Sequence, residues 1–221
     1  TLYPKLAYNP LTELIPIVQI ADVPNVLVVH PSVPAKTMDE FVAYAKANPG
    51  KLSYGSTGIG TSSHLSGFIL AKRAEFQAVH VPYKGADALR DLLAGRVQFM
   101  FATIPSVKQH IERGALRAIA VSSLKRSRSL PEVPTVAESG YPAFEAGSWF
   151  GFFAPKGTPA EVVATLNKAV NDIIAVPATE AAMIKEGADP IGGTPQHFAD
   201  FVQREFEKWR TVVRDSGARA E

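Results

Sequence analysis

Residues 78–123 read "AVHVPYKGADALRDLLAGRVQFMFATIPSVKQHIERGALRAIAVSS", and this stretch decides the fold. Short apolar runs at 78–83, 97–103 and 116–123 alternate with amphipathic runs at 86–94 and 105–113. Gly95 and Gly114 stand where each helix has to stop. Strand, helix and strand in this rhythm predict βαβ units, a parallel sheet and an α/β fold. The strands are apolar nearly throughout, as a sheet covered by helices on both faces requires.

Upstream, a short strand "KLSY" at 51–54 runs into a glycine-rich loop, "YGSTGIGTSSHLSG" at 54–67, which opens into a helix from Ser62 to Lys72. Thr37-x-x-Glu40 is a capping box, and Pro49-Gly50 ends the helix it starts. Before it, "IPIVQIADVPNVLVVHP" at 15–31 is extended and apolar but carries Pro24, which predicts two consecutive strand segments or a crossover. Residues 1–14, with Pro4, Asn9 and Pro10, form a turn-rich lead-in.

Downstream, the proline-rich 129–147 reads as a connection between domains, and "SWFGFFAP" at 148–155 is again extended. Thr158-Pro159-Ala160-Glu161 opens a helix with proline at its first position, running to Ala175. A shorter helix ends at Gly187. Thr194-Pro195 opens the longest, closed by Gly217, with a core stripe of Phe198, Phe201, Val202, Phe206, Trp209 and Val213. The two extended segments, 15–29 and 148–154, predict hinge strands. Residues 1–20 and 147–221 then form one lobe, mostly helical with too little strand for a sheet of its own, and 21–146 form the other.

Composition excludes several function classes. The 221 residues carry 23 basic and 21 acidic side chains, a net charge of +2. That balance gives no electrostatic footprint for nucleic acid or an anionic membrane. The one basic cluster, Lys125, Arg126 and Arg128, reads as a solvated loop. The absence of cysteine excludes disulfides, thiolate zinc sites and cysteine nucleophiles. No apolar run approaches the ~20 residues of a membrane helix. The chain opens abruptly on "TLYPKLAYNP", so a leader is expected to have preceded it.

The glycine loop fails three motifs. Gly58-Ile59-Gly60 begins a dinucleotide fingerprint, but Ser63 stands where the third glycine belongs. Gly55, Gly60 and Ser62 match a nucleotide-hydrolase phosphate loop, but Thr61 replaces the lysine that neutralises the outer phosphates. G-x-S-x-G occurs nowhere, and neighbouring Ser63 and His64 on a helix do not face each other. Two readings stay open: a cradle for a small anion, or merely a tight strand-to-helix turn. For the cradle, free amides at the helix start bond a carboxylate for roughly 1.5–3 kcal/mol each, and the helix dipole adds ~0.3–1 kcal/mol. The histidines (His30, His64, His80, His110, His197) are scattered without metal spacing, and no cofactor is expected.

Several stretches together resemble a family: "YGSTGIGTSSHLSG", "VHVPYKGADALRDLLAGRVQFMF", "LRAIAVSSLKRSRSLPEVPTVAESG" and "GFFAPKGTPAEVVATLN". They are similar to the Bug-type periplasmic solute-binding receptors of tripartite tricarboxylate transporters, and the likeness covers nearly the whole chain. It implies a type II periplasmic-binding-protein-like α/β fold, with two lobes joined by two hinge strands. It also implies a periplasmic receptor without catalysis. Such a receptor captures a small organic acid (a di- or tricarboxylate, an acidic amino acid or an aromatic acid) and delivers it to a membrane permease. A monomer is expected, with no nucleic-acid partner.

In this family one carboxylate lies between two βα loops, held by backbone amides, small hydroxyls and ordered waters. The second of these loops matches Ser56, Thr57, Gly58, Gly60, Thr61, Ser62, Ser63 and His64. Tyr83, Lys84 and Gly85, with the strand end at Ala102-Thr103, match other parts of the cleft wall.

Two departures stand out. The family's opening strand and its proline- and glycine-rich loop have no counterpart here, so the first lobe is expected to be incomplete. Ala102-Thr103 replaces a common Asp-Asn pair, removing a charge and an amide. These departures support an alternative, a ligand-incompetent or orphan relative or fragment with a sensing or scaffold role. A third reading is an α/β serine hydrolase using Ser62 or Ser63.

Overall fold

The structure, a computed structural model, describes residues 1–3 and 5–220. Pro4 of the lead-in and Glu221 of the expected first lobe lie outside the described residues. The chain divides into two compact units, Thr1–Val23 with Trp149–Glu221, and Pro24–Ser148.

The central unit holds the βα repeat. Its strands are the second half of β1 (Leu14–Val29), then β2 (Ser53–Ser56), β3 (Val79–Pro82), β4 (Phe99–Thr103) and β5 (Arg117–Val121). Its helices are α1 (Met38–Ala47), α2 (Ser62–Ala74), α3 (Asp87–Leu93) and α4 (Ile104–Glu112). The strand order is β3-β2-β4-β1-β5. Strand β2 pairs in parallel with β3 and β4, but β1 is antiparallel to both β4 and β5. The expected parallel sheet is therefore corrected to a mixed one. Strand β1 enters directly from the other unit without a helical crossover, so nothing imposes the common direction of the βαβ strands on it. It lies inside the sheet between β4 and β5, and Val26, Leu27, Val28 and Val29 are all fully buried.

The sheet alternates as two covered faces require. Val26, Val28, Met100 and Ala102 pack with Leu92 of α3 and Val107 of α4. Phe99 points the other way, its ring 5.0 Å from Phe41 of α1 and 5.3 Å from Tyr54 of β2. The edge strand β3 departs from the expected apolar burial, with Val79 exposed.

Pro24 does not split β1, contrary to expectation: Leu14–Val29 is one strand. Proline lacks an N–H, so it suits a point where a strand changes partners. Ala21 and Asp22 pair with β7 (Asp189–Pro190), while pairing with β4 begins at Asn25.

The other unit contains the first half of β1, β6 (Gly147–Pro155), β7, α5 (Ala160–Ile174), α6 (Pro177–Lys185) and α7 (Pro195–Ser216). The expectation of too little strand for a sheet is corrected, because β6 and β7 both pair with β1. Helix α5 begins at Ala160 behind Pro159 without a side-chain cap, and the Thr158 hydroxyl donates to Pro155 O instead.

The α7 stripe is only partly core. Phe198 and Val213 are buried and Phe201 packs on Trp149, but Phe206 is exposed. Along β6, Trp149 and Phe153 lie against Phe198, while the alternating Phe150 and Phe152 face solvent. Gly151 lets Phe198 approach: a Cβ there would stand 2.2 Å from the ring.

Among the described residues, no helix is long and apolar enough to cross a membrane.

Candidate functional site

The glycine loop joins β2 to α2 at the carboxyl ends of the parallel strands β2, β3 and β4, where open α/β sheets usually take ligands. Its shape follows from a few small side chains. The Thr61 hydroxyl donates to Gly58 O (2.8 Å) and accepts from His64 N–H (3.4 Å), closing the loop and capping α2. The buried Ser56 hydroxyl donates to Gly58 O (3.1 Å) and accepts from Gly58 N–H (3.3 Å). Gly58 has φ +145° and Gly60 φ +78°, which explains glycine at both.

The Gly60 N–H donates to His64 Nδ1 (3.0 Å). The Ile59, Ser62 and Ser63 N–H groups have no acceptor among the described residues. The last two are the first free amides of α2, so they carry its positive end.

The other predicted residues fall into two groups. Tyr83 N–H donates to Ser56 O (2.9 Å), and Tyr83 O lies 3.8 Å from where a Gly58 Cβ would be. This sets the 83–85 turn beside the loop. Lys84 and Gly85 are exposed within it, as is Thr57 within the loop itself. The Ser63 hydroxyl donates to Phe101 O of β4, fixing the start of α2 two residues before Thr103. Thr103 points its hydroxyl toward Ser106 (3.3 Å), turning it to the start of α4 rather than to the loop. Ser62 bonds Ser148 through their hydroxyls (3.0 Å).

The reading of the histidines as scattered is corrected. His64 and His80 stack at 3.7 Å between centroids and 7° between planes. Tyr54 lies 4.9 Å from His80, its register partner across the β2–β3 ladder. His80 Nε2 reaches the Ser56 hydroxyl (2.7 Å). Burial pushes His64 below the usual imidazole range. Burial, then the charge of His64, pushes His80 down to about 4. Burial also raises Tyr54, so the cluster beneath the loop is neutral near pH 7. Fifteen residues separate the two histidines, and only the strand register could have joined them.

Asn25, opposite Thr103 in the β1–β4 ladder, also escaped the sequence reading. It is fully buried and donates to Ser66 of α2 (3.3 Å), and its Oδ1 has no hydrogen-bond partner. Among the described residues no cluster of three or more His, Asp or Glu can hold a metal ion.

The profile of the TctC family, tripartite tricarboxylate transporter family receptor, matches residues 1–218. The chain is 42% identical over 213 residues to a Pseudomonas sp. (strain P51) protein named "UPF0065 protein in tcbD-tcbE intergenic region", covering 96% of this chain and 63% of that one. It therefore spans a little under two thirds of that relative's length. The solved structure described as R. palustris Rpa4515 with adipate superposes with TM-score 0.90 at 36% identity, over 99% of this chain and 74% of that one. MatC (Rpa3494) from Rhodopseudomonas palustris with bound malate superposes with TM-score 0.82 at 31% identity, over 96% and 74%. These likenesses carry the type II periplasmic-binding-protein-like α/β fold. With a family profile that runs over nearly its whole length, the chain belongs to the tripartite tricarboxylate transporter family receptors.

Proposed function

We propose that this chain forms the acid-capturing part of an extracytoplasmic solute-binding receptor, which takes a small carboxylic acid in the periplasm and passes it to a membrane permease without chemical change. One observation carries this reading: the unpaired Ser62 and Ser63 amides at the start of α2, placed at the ends of three parallel strands. Two amides and a helix dipole suit one carboxylate, and the loop has no lysine for a polyphosphate. Adipate and malate in two similar proteins fit the same chemistry.

The groups a hydrolase would need are engaged elsewhere. Ser63 Oγ is bonded to Phe101 O, and His64 Nδ1 to the Gly60 amide. This favours binding over acyl transfer.

The test is an amide-resolved NMR titration with adipate, malate and a panel of mono- to tricarboxylates. The Ile59, Ser62 and Ser63 resonances are expected to move first and furthest. If no acid moves them at millimolar concentration, the receptor reading fails and a ligand-incompetent relative replaces it.

A further inference from the structure

Two helices of the central unit open with the same device but different chemistry. In α1, Thr37 caps Glu40 N–H (3.2 Å), and the Glu40 carboxylate reaches back to accept Lys36 N–H (2.6 Å). In α2, Thr61 caps His64 N–H, and His64 Nδ1 reaches back to accept Gly60 N–H (3.0 Å). Both acceptors stand at the third helical position, and both bind the amide just before the cap. Glutamate or glutamine is the usual acceptor there.

We propose that His64 is the positioning residue of the anion loop, a neutral acceptor that fixes the Gly60 amide so that the negative charge at the start of α2 is left for the ligand to supply. This rests on the carboxylate reading above. A glutamate at position 64 would close the loop equally well but place its own charge beside the Ser62 and Ser63 amides and repel a carboxylate.

Three further observations hold His64 in this role. Its Nδ1 accepts an N–H, so the ring proton is on Nε2 and the imidazole is neutral. It is buried between its own helix and two aromatic partners, Tyr54 from β2 and His80 from β3. Those two are the titratable groups facing it, and Phe99 of β4, stacked on Tyr54, carries no charge. Burial lowers its pKa from the ordinary imidazole value and so favours the unprotonated ring. A proton on Nδ1 would turn the acceptor into a donor pointed at another donor and release Gly60.

The test reads Gly60 in the ligand-free protein first, so it stands even if no acid binds. In the wild type, the Gly60 amide shift is expected to titrate together with the His64 ring nitrogens, with His64 as the Nε2–H tautomer above the transition. A Gly60 shift that stays flat while His64 titrates overturns the proposal, with no variant needed. His64→Gln is expected to keep Gly60 protected from exchange and to abolish its titration. His64→Ala is expected to lose protection about tenfold, the scale of one hydrogen bond. Equal protection in His64→Ala and wild type also overturns the proposal. His64→Glu is expected to keep Gly60 protected while losing the adipate-induced shifts at Ser62 and Ser63. Retained shifts in that variant overturn the electrostatic half. If adipate, malate and the other acids leave the wild type unmoved while Gly60 follows His64, the receptor reading fails and the positioning role survives.

Discussion

The chain writes one five-residue pattern twice. Gly60-Thr61-Ser62-Ser63-His64 opens α2 in the central unit, and Gly193-Thr194-Pro195-Gln196-His197 opens α7 in the other. In both, threonine accepts the N–H of the histidine three residues on, at 3.4 and 3.1 Å. In both, the glycine has positive φ. There the likeness ends. The Gly193 amide is taken by Asn171 Oδ1 (2.7 Å), and His197 is exposed. Pro195 has no N–H, so the α7 start offers one amide fewer. It lies beside β7, a two-residue strand, not at the ends of three parallel strands. The pattern alone therefore specifies a capped helix. An anion seat needs an N–H at the first helical position, the pattern's own histidine as acceptor for the glycine amide, and the strand ends beneath.

The largest expected effect comes from the packing behind each start. Phe198, the residue after His197, is fully buried against Gly151. Gly151→Ala puts a Cβ 2.2 Å from the Phe198 ring, and overpacking of this kind is expected to cost about 3 kcal/mol or more. Behind α2, Gly67→Ala brings a Cβ to 2.5 Å from Tyr54. The overlap is smaller than at Gly151, where the distance is 2.2 Å, so the expected cost is about 1–3 kcal/mol. Because Tyr54 lies on His80, this variant should also shift the histidine resonances. Urea denaturation ranks the two. A Gly67→Ala protein as stable as wild type would mean that the Tyr54 ring moves freely.

Next come changes to the loop. Gly58→Val meets only ordinary contacts, at 3.6 and 3.8 Å, so its penalty comes from φ +145°, an angle that costs a branched residue about 1–3 kcal/mol. Acid affinity is expected to fall more than about tenfold, the equivalent of ~1.4 kcal/mol; near-normal affinity would leave the loop only a turn.

Ser62→Pro sharpens the comparison most directly, because it gives α2 the first residue of α7. Thr61, with ψ 161° against 158° at its counterpart Thr194, already has the extended backbone a following proline requires. Stability is expected to change by less than about 0.5 kcal/mol beyond the lost Ser148 contact. Acid binding is expected to weaken by about tenfold or more, one charge-assisted bond. Calorimetry measures both, and unchanged affinity would remove Ser62 N–H from the seat.

These tests depend on details that were unevenly legible in the sequence. The βα rhythm, the caps at Thr37 and Thr194, and the terminator Gly217 follow from local chemistry, which sequence carries well. The direction of β1 does not, because strand polarity is set by how a chain enters a sheet. Nor does the stacking of His64 on His80, which depends on the register of β2 against β3. The exposed Phe206 falls outside the core its stripe predicts, because periodicity marks an apolar face without saying what covers it. Thr61 offers a similar lesson: replacing it with lysine looks like a simple charge probe of a phosphate loop. Its hydroxyl both closes the loop and caps α2, so that substitution would break the turn it was meant to test.

The smallest expected effect is the response of the stacked His64–His80 pair to acid. His80 is held down to about 4 and His64 is lowered from 6.5, both first by burial. When folding lowers a histidine pKa, the unfolded chain binds the proton first as pH falls. Stability then rises with pH throughout the interval between the two values. The contribution is complete above 6.5 and is lost progressively as pH falls from there toward about 4. His80 is only half-buried, so solvent screening keeps its share modest. Urea denaturation across that interval is expected to show a slope that His80→Gln reduces. Equal slopes in wild type and His80→Gln would mean that the stacked pair does not carry the acid response.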